Sequence, residues 1–188
     1  MRPSALLART SVVAVTTAAL TVGLAASASA ATVGRSVTVG STTYHLSLTA
    51  PATAAASGEN VTVTGSGYNA DKGIYVSLCV IPDGVDPNDP ATFTTKATPC
   101  LGGQDEAGTT GASHWINSDF YWMSPDNSSP YDEADGVGNF SVRIHVSPNI
   151  ASGITCGQSG VRCAIVTRAD HFDTNNRDAD LYVPVTFQ

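Results

Sequence analysis

Apolar and polar residues alternate along two neighbouring stretches of the chain, residues 59–67 and 73–81. In the second stretch Ile74, Val76 and Leu78 fall on every second residue. A period of two places one set of side chains on each face of a strand, so that one face can be buried. The pattern therefore predicts two strands that pair as a central hairpin.

Turn-forming residues separate these stretches from each other and from the rest of the chain. Glycine-rich residues 65–67 and 69–73 are predicted to form turns, because glycine and asparagine tolerate the backbone angles that tight turns need. The alternation recurs clearly in residues 43–49, 139–146 and 181–187. A short apolar strand is predicted at residues 161–167, and weaker strands at residues 37–39 and 93–97. No stretch shows a helical period, so the chain is predicted to be an all-β, antiparallel β-sandwich of seven or more strands.

Residues 101–138 show no clear periodicity but hold five of the thirteen aromatic residues: Trp115, Phe120, Tyr121, Trp122 and Tyr131. A long irregular segment in a small domain is usually functional or an insertion. Four of these residues are predicted either to line a ligand cleft or to form a satellite core that anchors the segment: Trp115, Phe120, Tyr121 and Trp122.

Residues 1–30 have the features of a cleaved signal peptide. Two arginines stand near the start, an apolar run follows over residues 11–26, and residues 28–30 (Ala-Ser-Ala) fit a small-x-small cleavage site. A membrane anchor is the alternative, but the apolar run is short for a membrane span. We therefore expect a secreted, extracellular protein of residues 31–188 with one domain and no later membrane span.

Acidic residues outnumber basic ones, 16 to 9, and the net charge is −7. Loss of Arg2 and Arg9 with the signal peptide would take the net charge to −9. Direct nucleic-acid binding is not expected of a chain with so few and so scattered cations. The acidity favours a protein that stays dissolved outside the cell and is monomeric.

All four cysteines lie after the signal peptide. An even number of cysteines in an exported chain predicts disulfides, and three pairings are open. Cys79–Cys100 and Cys156–Cys163 are favoured because each would close a local loop between neighbouring strands. A zinc site is disfavoured because no Cys-x2-Cys spacing is present.

The order of these features resembles the neocarzinostatin family. The resemblance extends from about residue 49 to residue 188 and rests on the Gly-x-Gly-Tyr sequence at residues 65–68, the strand ending in Cys79, Cys100, the Ile-Thr-Cys sequence at residues 154–156, Cys163, and the closing Val-Pro-Val-Thr-Phe segment. It implies an immunoglobulin-like sandwich with two local disulfides. The best-known members carry an enediyne chromophore in a cleft of the sandwich, so the resemblance implies a ligand carrier.

The resemblance weakens where a chromophore would lie. An aromatic residue closely follows the first cysteine in those carriers, and Ile81 stands there in this chain. Ala164 stands in place of a glutamine after the last cysteine, and Arg168, Asp170 and His171 stand where small residues are expected.

A second resemblance is to a neocarzinostatin-like module that accompanies haem-binding domains in surface proteins of high-GC Gram-positive bacteria. It rests on residues 72–79, 115–116 and 164–171. The haem-binding domain itself has no counterpart here. The resemblance implies a role in ligand handling at the cell surface.

Arg168, Asp170 and His171 form one candidate group, since a cation, a carboxylate and an imidazole at one rim could orient an anionic or haem-like ligand. The alternative is that Arg168 pairs with Asp170 and His171 caps the loop. With the aromatic residues and two neighbours, the predicted ligand-binding set is Tyr75, Ile81, Trp115, Tyr121, Trp122, Ala164, Arg168, Asp170 and His171.

Other chemistry finds little support. The acidic residues of segment 170–180 invite a calcium interpretation, but the glycine and the closing glutamate of a calcium loop are missing, and a solvated hairpin is favoured. No Gly-x-Ser-x-Gly motif or phosphate loop is present. We expect no catalytic residues, no metal and no cofactor.

The sequence as a whole predicts an exported, non-enzymatic binding protein that holds a small, largely apolar ligand in a cleft of the sandwich. The alternative is a surface module that contacts an envelope protein, in connection with haem or iron acquisition.

Overall fold

The computed structural model describes residues 29–103 and 110–188. The predicted signal peptide lies outside the described residues except for Ser29 and Ala30. Within the described ranges, no helix has the length and apolar character needed to cross a bilayer.

Two five-stranded sheets form the body of the protein. The first sheet has the strand order β1-β2-β4-β9-β8 and the second has the order β13-β12-β5-β6-β7. Two further pairs are small, β10 with β11 and β14 with β3. The strands are β1 (Ala30–Val39), β2 (Thr42–Pro51), β3 (Thr53–Ala54), β4 (Glu59–Asn69), β5 (Ile74–Val80), β6 (Ser113–Ile116), β7 (Ser128–Ser129), β8 (Asp132–Ala134), β9 (Val137–Val146), β10 (Asn149–Ala151), β11 (Ile154–Thr155), β12 (Cys163–Ala169), β13 (Leu181–Pro184) and β14 (Thr186–Phe187).

This arrangement confirms the predicted all-β sandwich. The neighbours β2-β4-β9 and β13-β12-β5 reproduce the division of strands between the two sheets of an immunoglobulin-like fold. Alternate side chains of the facing strands meet in the main core, which includes Leu48, Val63, Leu78 and Ile165. The predicted inward positions of the closing strands, Leu181, Val183 and Val185, lie in the same core.

The glycine-rich residues 65–67 are not a turn, contrary to the prediction. Strand β4 continues through them, and its register against β9 shifts between Gly65 and Tyr68, as in a β-bulge. Gly67 has a φ of +78°, and a Cβ there would lie 1.9 Å from the His45 carbonyl oxygen. Position 67 therefore needs glycine, because the backbone of β2 at His45 leaves no room for a side chain. The turn before β5 lies further on, at residues 70–72.

Two short strand predictions are corrected by the structure. The predicted strand at residues 37–39 is only the end of the ten-residue β1, which pairs with β2 along its whole length. The predicted strand at residues 93–97 is absent from the described structure, where a 3₁₀ turn at Pro90–Thr92 leads into an irregular segment. Phe93 and Ala97 are buried there by packing on a sheet rather than by joining one.

The second sheet is buried on both faces. All seven residues of β12 are buried, as are six of the seven in β5. One face packs into the main core, and the other is covered over part of its area by residues 81–100, which we call the covering segment. A second hydrophobic cluster holds it there: Cys79, Ile81, Val85, Phe93, Ala97, Cys100, Ala164, Val166 and Tyr182.

Both predicted disulfides are confirmed, Cys79–Cys100 and Cys156–Cys163. The first joins β5 to the end of the covering segment, and the Cys79–Cys100 bridge is also a β-bridge between the two backbones. This disulfide therefore fastens the cover to the sheet that it covers.

Removing the first disulfide should cost more stability than removing the second. The chain-entropy relation gives about 3.4 kcal/mol for a loop the size of Cys79–Cys100 and about 2.5 kcal/mol for one the size of Cys156–Cys163. Loosening of the second cluster adds to the first loss. Urea unfolding of Cys79→Ala with Cys100→Ala, compared with Cys156→Ala with Cys163→Ala, measures the difference, and an equal or reversed order would contradict the role given to the covering segment.

Candidate functional site

Three predicted site residues lie side by side on the outer face of the second sheet. Strand register places Tyr75 on β5 opposite Trp115 on β6, and also opposite Arg168 on β12. The odd-numbered side chains of β5 point away from the main core, so this row crosses the outer face. The guanidinium carbon of Arg168 lies 5.3 Å from the centre of the Tyr75 ring, in a cation–π contact.

Further rings extend this row toward solvent. The Trp115 ring centre lies 6.4 Å from that of Tyr75, 5.1 Å from that of His171 and 6.1 Å from that of Phe172. The Phe172 ring lies 5.3 Å from the Phe120 ring. We call Tyr75, Trp115, His171, Phe172 and Phe120 the aromatic strip; it begins at the buried Tyr75 ring and ends at the surface.

The buried carboxylate of Asp170 fixes the strip. Its Oδ2 accepts hydrogen bonds from Trp115 Nε1 at 2.9 Å and from Asn117 Nδ2 at 3.3 Å, and its Oδ1 accepts one from the Phe172 amide at 2.9 Å. Asp170 also packs on Gly73, where a Cβ would lie 1.9 Å from Oδ2. One side chain thus joins β6, the turn before β5 and the loop after β12.

The solvent end of the strip belongs to an exposed apolar patch. Phe120 is followed by Tyr121, Trp122 and Met123 in a 3₁₀ turn, and Phe172 packs beside Phe120. Trp122 is 65% exposed and Phe172 is 59% exposed. Among the described residues, these five are all but one of the exposed large hydrophobic side chains, the other being Val137.

Most of the predicted ligand-binding residues come together at this place. Tyr75, Trp115, Arg168, Asp170 and His171 form one contact network. Tyr121 and Trp122 lie in the patch at its end.

Two predicted residues lie elsewhere, in the second cluster. Ile81 belongs to the covering segment, and Ala164 on β12 packs in the same cluster with no exposed surface.

The local pairing suggested for the loop after β12 does not form. Arg168 and Asp170 make no ion pair among the described residues, because Asp170 bonds to Trp115 and Asn117 while Arg168 lies on the Tyr75 ring. His171 Nδ1 is 2.7 Å from the Tyr75 hydroxyl, so the imidazole is tied to the strip.

A cleft of about 550 Å³ lies at the opposite end of the second sheet. Ile81, Pro87, Arg162, Val185 and Phe187 are among its lining residues, with the Cys156–Cys163 hairpin. Its volume is in the range of small-molecule sites, and its lining mixes apolar side chains with polar ones. Of the predicted ligand-binding residues, only Ile81 lines it.

A second buried carboxylate, Asp180, lies just before β13 among cations. Arg177 Nη1 is 2.9 Å from Asp180 Oδ2. Burial raises the pKa of Asp180 to about 7, against the opposing effect of Arg177, Arg35 and Arg168. From the sequence, Asp180 was noted only among the acidic residues of segment 170–180. Arg177, Lys96, Tyr182 and Phe172 were not predicted, and of these only Phe172, which adjoins His171, carried a local signal.

The acidic loop after β12 offers no built metal site. Within residues 29–103 and 110–188, no three His, Cys, Asp or Glu side chains are grouped so that they could hold a metal ion. In that loop Asp173 pairs with Lys72, and Asp178 accepts a hydrogen bond from Asn176.

No protein-family model, curated protein or solved structure matches this chain.

Replacing Asp170 with asparagine should destabilise the protein by about 2–4 kcal/mol, because two buried donors and the half-buried Phe172 amide lose a carboxylate acceptor and the new NH2 group must face at least one of these donors. The matched control is Asp173→Asn, three residues away, whose ion pair with Lys72 is exposed and is worth about 0–1 kcal/mol. Chemical denaturation of both variants measures the difference. Equal losses would contradict the central position given to Asp170.

Asp180 should make stability fall as pH rises. The pKa of Asp180 is about 7 in the folded state and ordinarily 3.8, so between these pH values the folded state keeps a proton that the unfolded state has lost. This proton stabilises the folded state, and the stabilisation is lost as pH rises through 7. Between pH 5 and pH 8 this group alone should remove roughly 2–3 kcal/mol of stability.

Denaturation at a series of pH values, with Asp180→Asn, measures this dependence. The variant should lose this part of the slope, whereas Asp178→Asn, which removes an exposed carboxylate two residues away, should keep it. Parallel profiles for wild type and Asp180→Asn would refute the assignment.

Proposed function

We propose that the protein is an exported, non-enzymatic binding protein that holds a small, largely apolar and planar ligand on the aromatic strip and the apolar patch. The observation that carries the proposal is the continuous run of rings from buried Tyr75 to exposed Phe120 and Phe172.

Aromatic rings suit a planar ligand. They offer a large contact area and prefer offset or edge-to-face contacts at the ring separations seen along the strip. Clustered exposed apolar side chains, as opposed to scattered ones, usually mark a binding surface. The location of Phe120, Trp122 and Phe172 in one patch therefore favours binding over chance exposure.

The strip is organised before any ligand arrives. Asp170 fixes Trp115 and the Phe172 backbone, and the Tyr75 hydroxyl fixes His171. A rigid site loses less conformational entropy on binding than a flexible one. Only the exposed side chains of the patch would need to be ordered by a ligand.

Export is supported by the signal-like residues 1–30 and by the two disulfides, which persist mainly in oxidising compartments. The resemblance to neocarzinostatin carriers supports ligand binding by such a sandwich.

The covering segment occupies the part of the outer face around Ala164, so the proposed site lies toward β6, the strand from segment 101–138.

A surface module that contacts another protein is the second candidate. Its support is the strong exposure of Trp122 and Met123, which project from the 3₁₀ turn more openly than the walls of a pocket. A haem or iron connection rests on the resemblance alone.

Binding of the uncharged fluorescent probe N-phenyl-1-naphthylamine tests the proposal. Wild-type protein should bind it with enhanced probe fluorescence, and Phe172→Ala and Trp122→Ala should each weaken binding about tenfold, the equivalent of about 1.4 kcal/mol of lost contact. Val137→Ala, which removes an exposed apolar side chain from the other sheet, is the control and should bind as wild type does.

Absence of probe binding to the wild type would overturn the small-ligand proposal and leave the interaction module. Equal binding by the wild type and both patch variants would show that the probe binds somewhere other than the aromatic strip.

A further inference from the structure

Four cationic side chains converge beside the aromatic strip. They are Arg35, Lys96, Arg168 and Arg177, and they account for four of the seven lysine and arginine residues in residues 31–188 of an acidic chain. We propose that Arg168, Lys96 and Arg177 form a binding site for an oxyanion: a phosphate, sulfate or carboxylate group.

Strand register brings the first of these cations to the buried carboxylate. Thr167 on β12 lies opposite Leu181 on β13, so the next residue along β12, Arg168, lies beside Asp180. Tyr182, two residues after Asp180, points to the same outer face and packs against Phe93 of the covering segment at 4.8 Å between ring centres. The site thus lies where β12, β13 and the covering segment meet.

Thr174 joins the other two cations of the site. Lys96 Nζ donates to the Thr174 hydroxyl at 3.0 Å, and Arg177 Nη2 donates to the Thr174 carbonyl at 2.5 Å. Arg35 donates to the Arg177 carbonyl from β1. Lys96 is therefore held near Arg177 through Thr174. Burial lowers the pKa of Lys96, and the positive charges of Arg168 and Arg177 lower it further.

Several buried polar atoms of the site lack partners among the described residues. They are Nε of Arg168 and of Arg35, Oδ1 of Asp180 and the Tyr182 hydroxyl. The Arg168 side chain is only 6% exposed, and its guanidinium forms no hydrogen bond or ion pair in residues 29–103 and 110–188. Its face lies on Tyr75, so its N–H donors remain available to a ligand.

This arrangement leaves positive charge uncompensated. Buried charges are normally paired, because removing an ion from water costs several kcal/mol. Here Asp180 is the only carboxylate bonded to the cluster's guanidinium groups among the described residues, and Arg177 takes one of its oxygens. Burial also raises the pKa of Asp180, so near neutral pH this carboxylate is only partly ionised. A bound anion would supply the missing negative charge.

The donor types match an oxyanion. A guanidinium presents N–H groups in a planar fork that fits two oxygens of a carboxylate or phosphate, and an ammonium adds a mobile point charge. The unpartnered Tyr182 hydroxyl can donate as well. Because Arg168 lies on the Tyr75 ring, an acid group carried by a planar apolar ligand could reach the same cations as a free anion.

Thermal unfolding in sodium phosphate or sodium sulfate, compared with sodium chloride at equal ionic strength, tests the proposal. A ligand that binds only the folded state raises Tm with its concentration. Phosphate and sulfate should raise the wild-type Tm well beyond chloride, and calorimetry should show binding that weakens about tenfold or more in Arg168→Met and in Lys96→Gln, as expected for loss of a charge-assisted hydrogen bond.

Arg143→Gln is the matched control, because Arg143 is an exposed cation on β9 of the other sheet and should leave phosphate binding unchanged. In chloride alone, Arg168→Met should unfold at the wild-type temperature or above, since it keeps an apolar stem on Tyr75 and removes an unpaired buried charge. Lys96→Gln changes a half-buried side chain and gives an independent readout.

Two added arms identify the source of the oxyanion. Tighter binding of 2-naphthoate than of acetate would assign the site to an acid group on an apolar ligand, which rests on the proposed function. Equal binding of the two carboxylates, with binding of phosphate, would assign it to free anions. The oxyanion proposal is overturned if phosphate and sulfate act no differently from chloride, or if Arg168→Met and Lys96→Gln respond as wild type does.

Discussion

Burial of the second sheet on both faces is the constraint on which the rest of the structure depends. Strands β5 and β12 have almost no exposed residue, so each needs a partner layer on either side. The first sheet supplies one layer. The covering segment, held by Cys79–Cys100, supplies part of the other, and the aromatic strip begins where that cover ends.

Two buried carboxylates, one just after β12 and one just before β13, differ in how fully their oxygens are hydrogen-bonded. Asp170 receives three hydrogen bonds from N–H donors and joins elements that are distant in sequence. Asp180 keeps one oxygen without a partner in the described structure and lies among cations that it cannot neutralise. A satisfied buried group stabilises a fold, whereas an unsatisfied one is a candidate for function. The first therefore accounts for the rigidity of the strip, and the second for the anion chemistry inferred beside it.

The strands and disulfides could be predicted because their signals are local. Period-two alternation marked β4, β5 and β9, and four cysteines in two close pairs favoured the observed bridges. The glycines of residues 65–67 were misinterpreted because the same residue type serves turns and bulges, and only the approach of Gly67 to the His45 carbonyl separates the two.

The candidate site was predicted only where its residues are neighbours in sequence or share a strand. Arg168, Asp170 and His171 could be recognised as a group, and Trp115 was noticed as part of an aromatic segment. Lys96 and Arg177 lie 81 residues apart and meet only through Thr174, a contact that no local pattern indicates. The cover over Ala164 was missed because irregular residues that pack on a sheet lack the alternation of a strand.

Native mass spectrometry with an absorbance scan, on the protein purified from its own host, tests the central claim most directly. If the protein carries a ligand, its measured mass should exceed the mass calculated for residues 31–188 after subtraction of the four hydrogens lost in two disulfides. The excess mass should disappear on denaturation, and the released material should have its own absorption band. A bare mass, with no absorbance beyond that of the polypeptide, would contradict a ligand carrier and favour the interaction module.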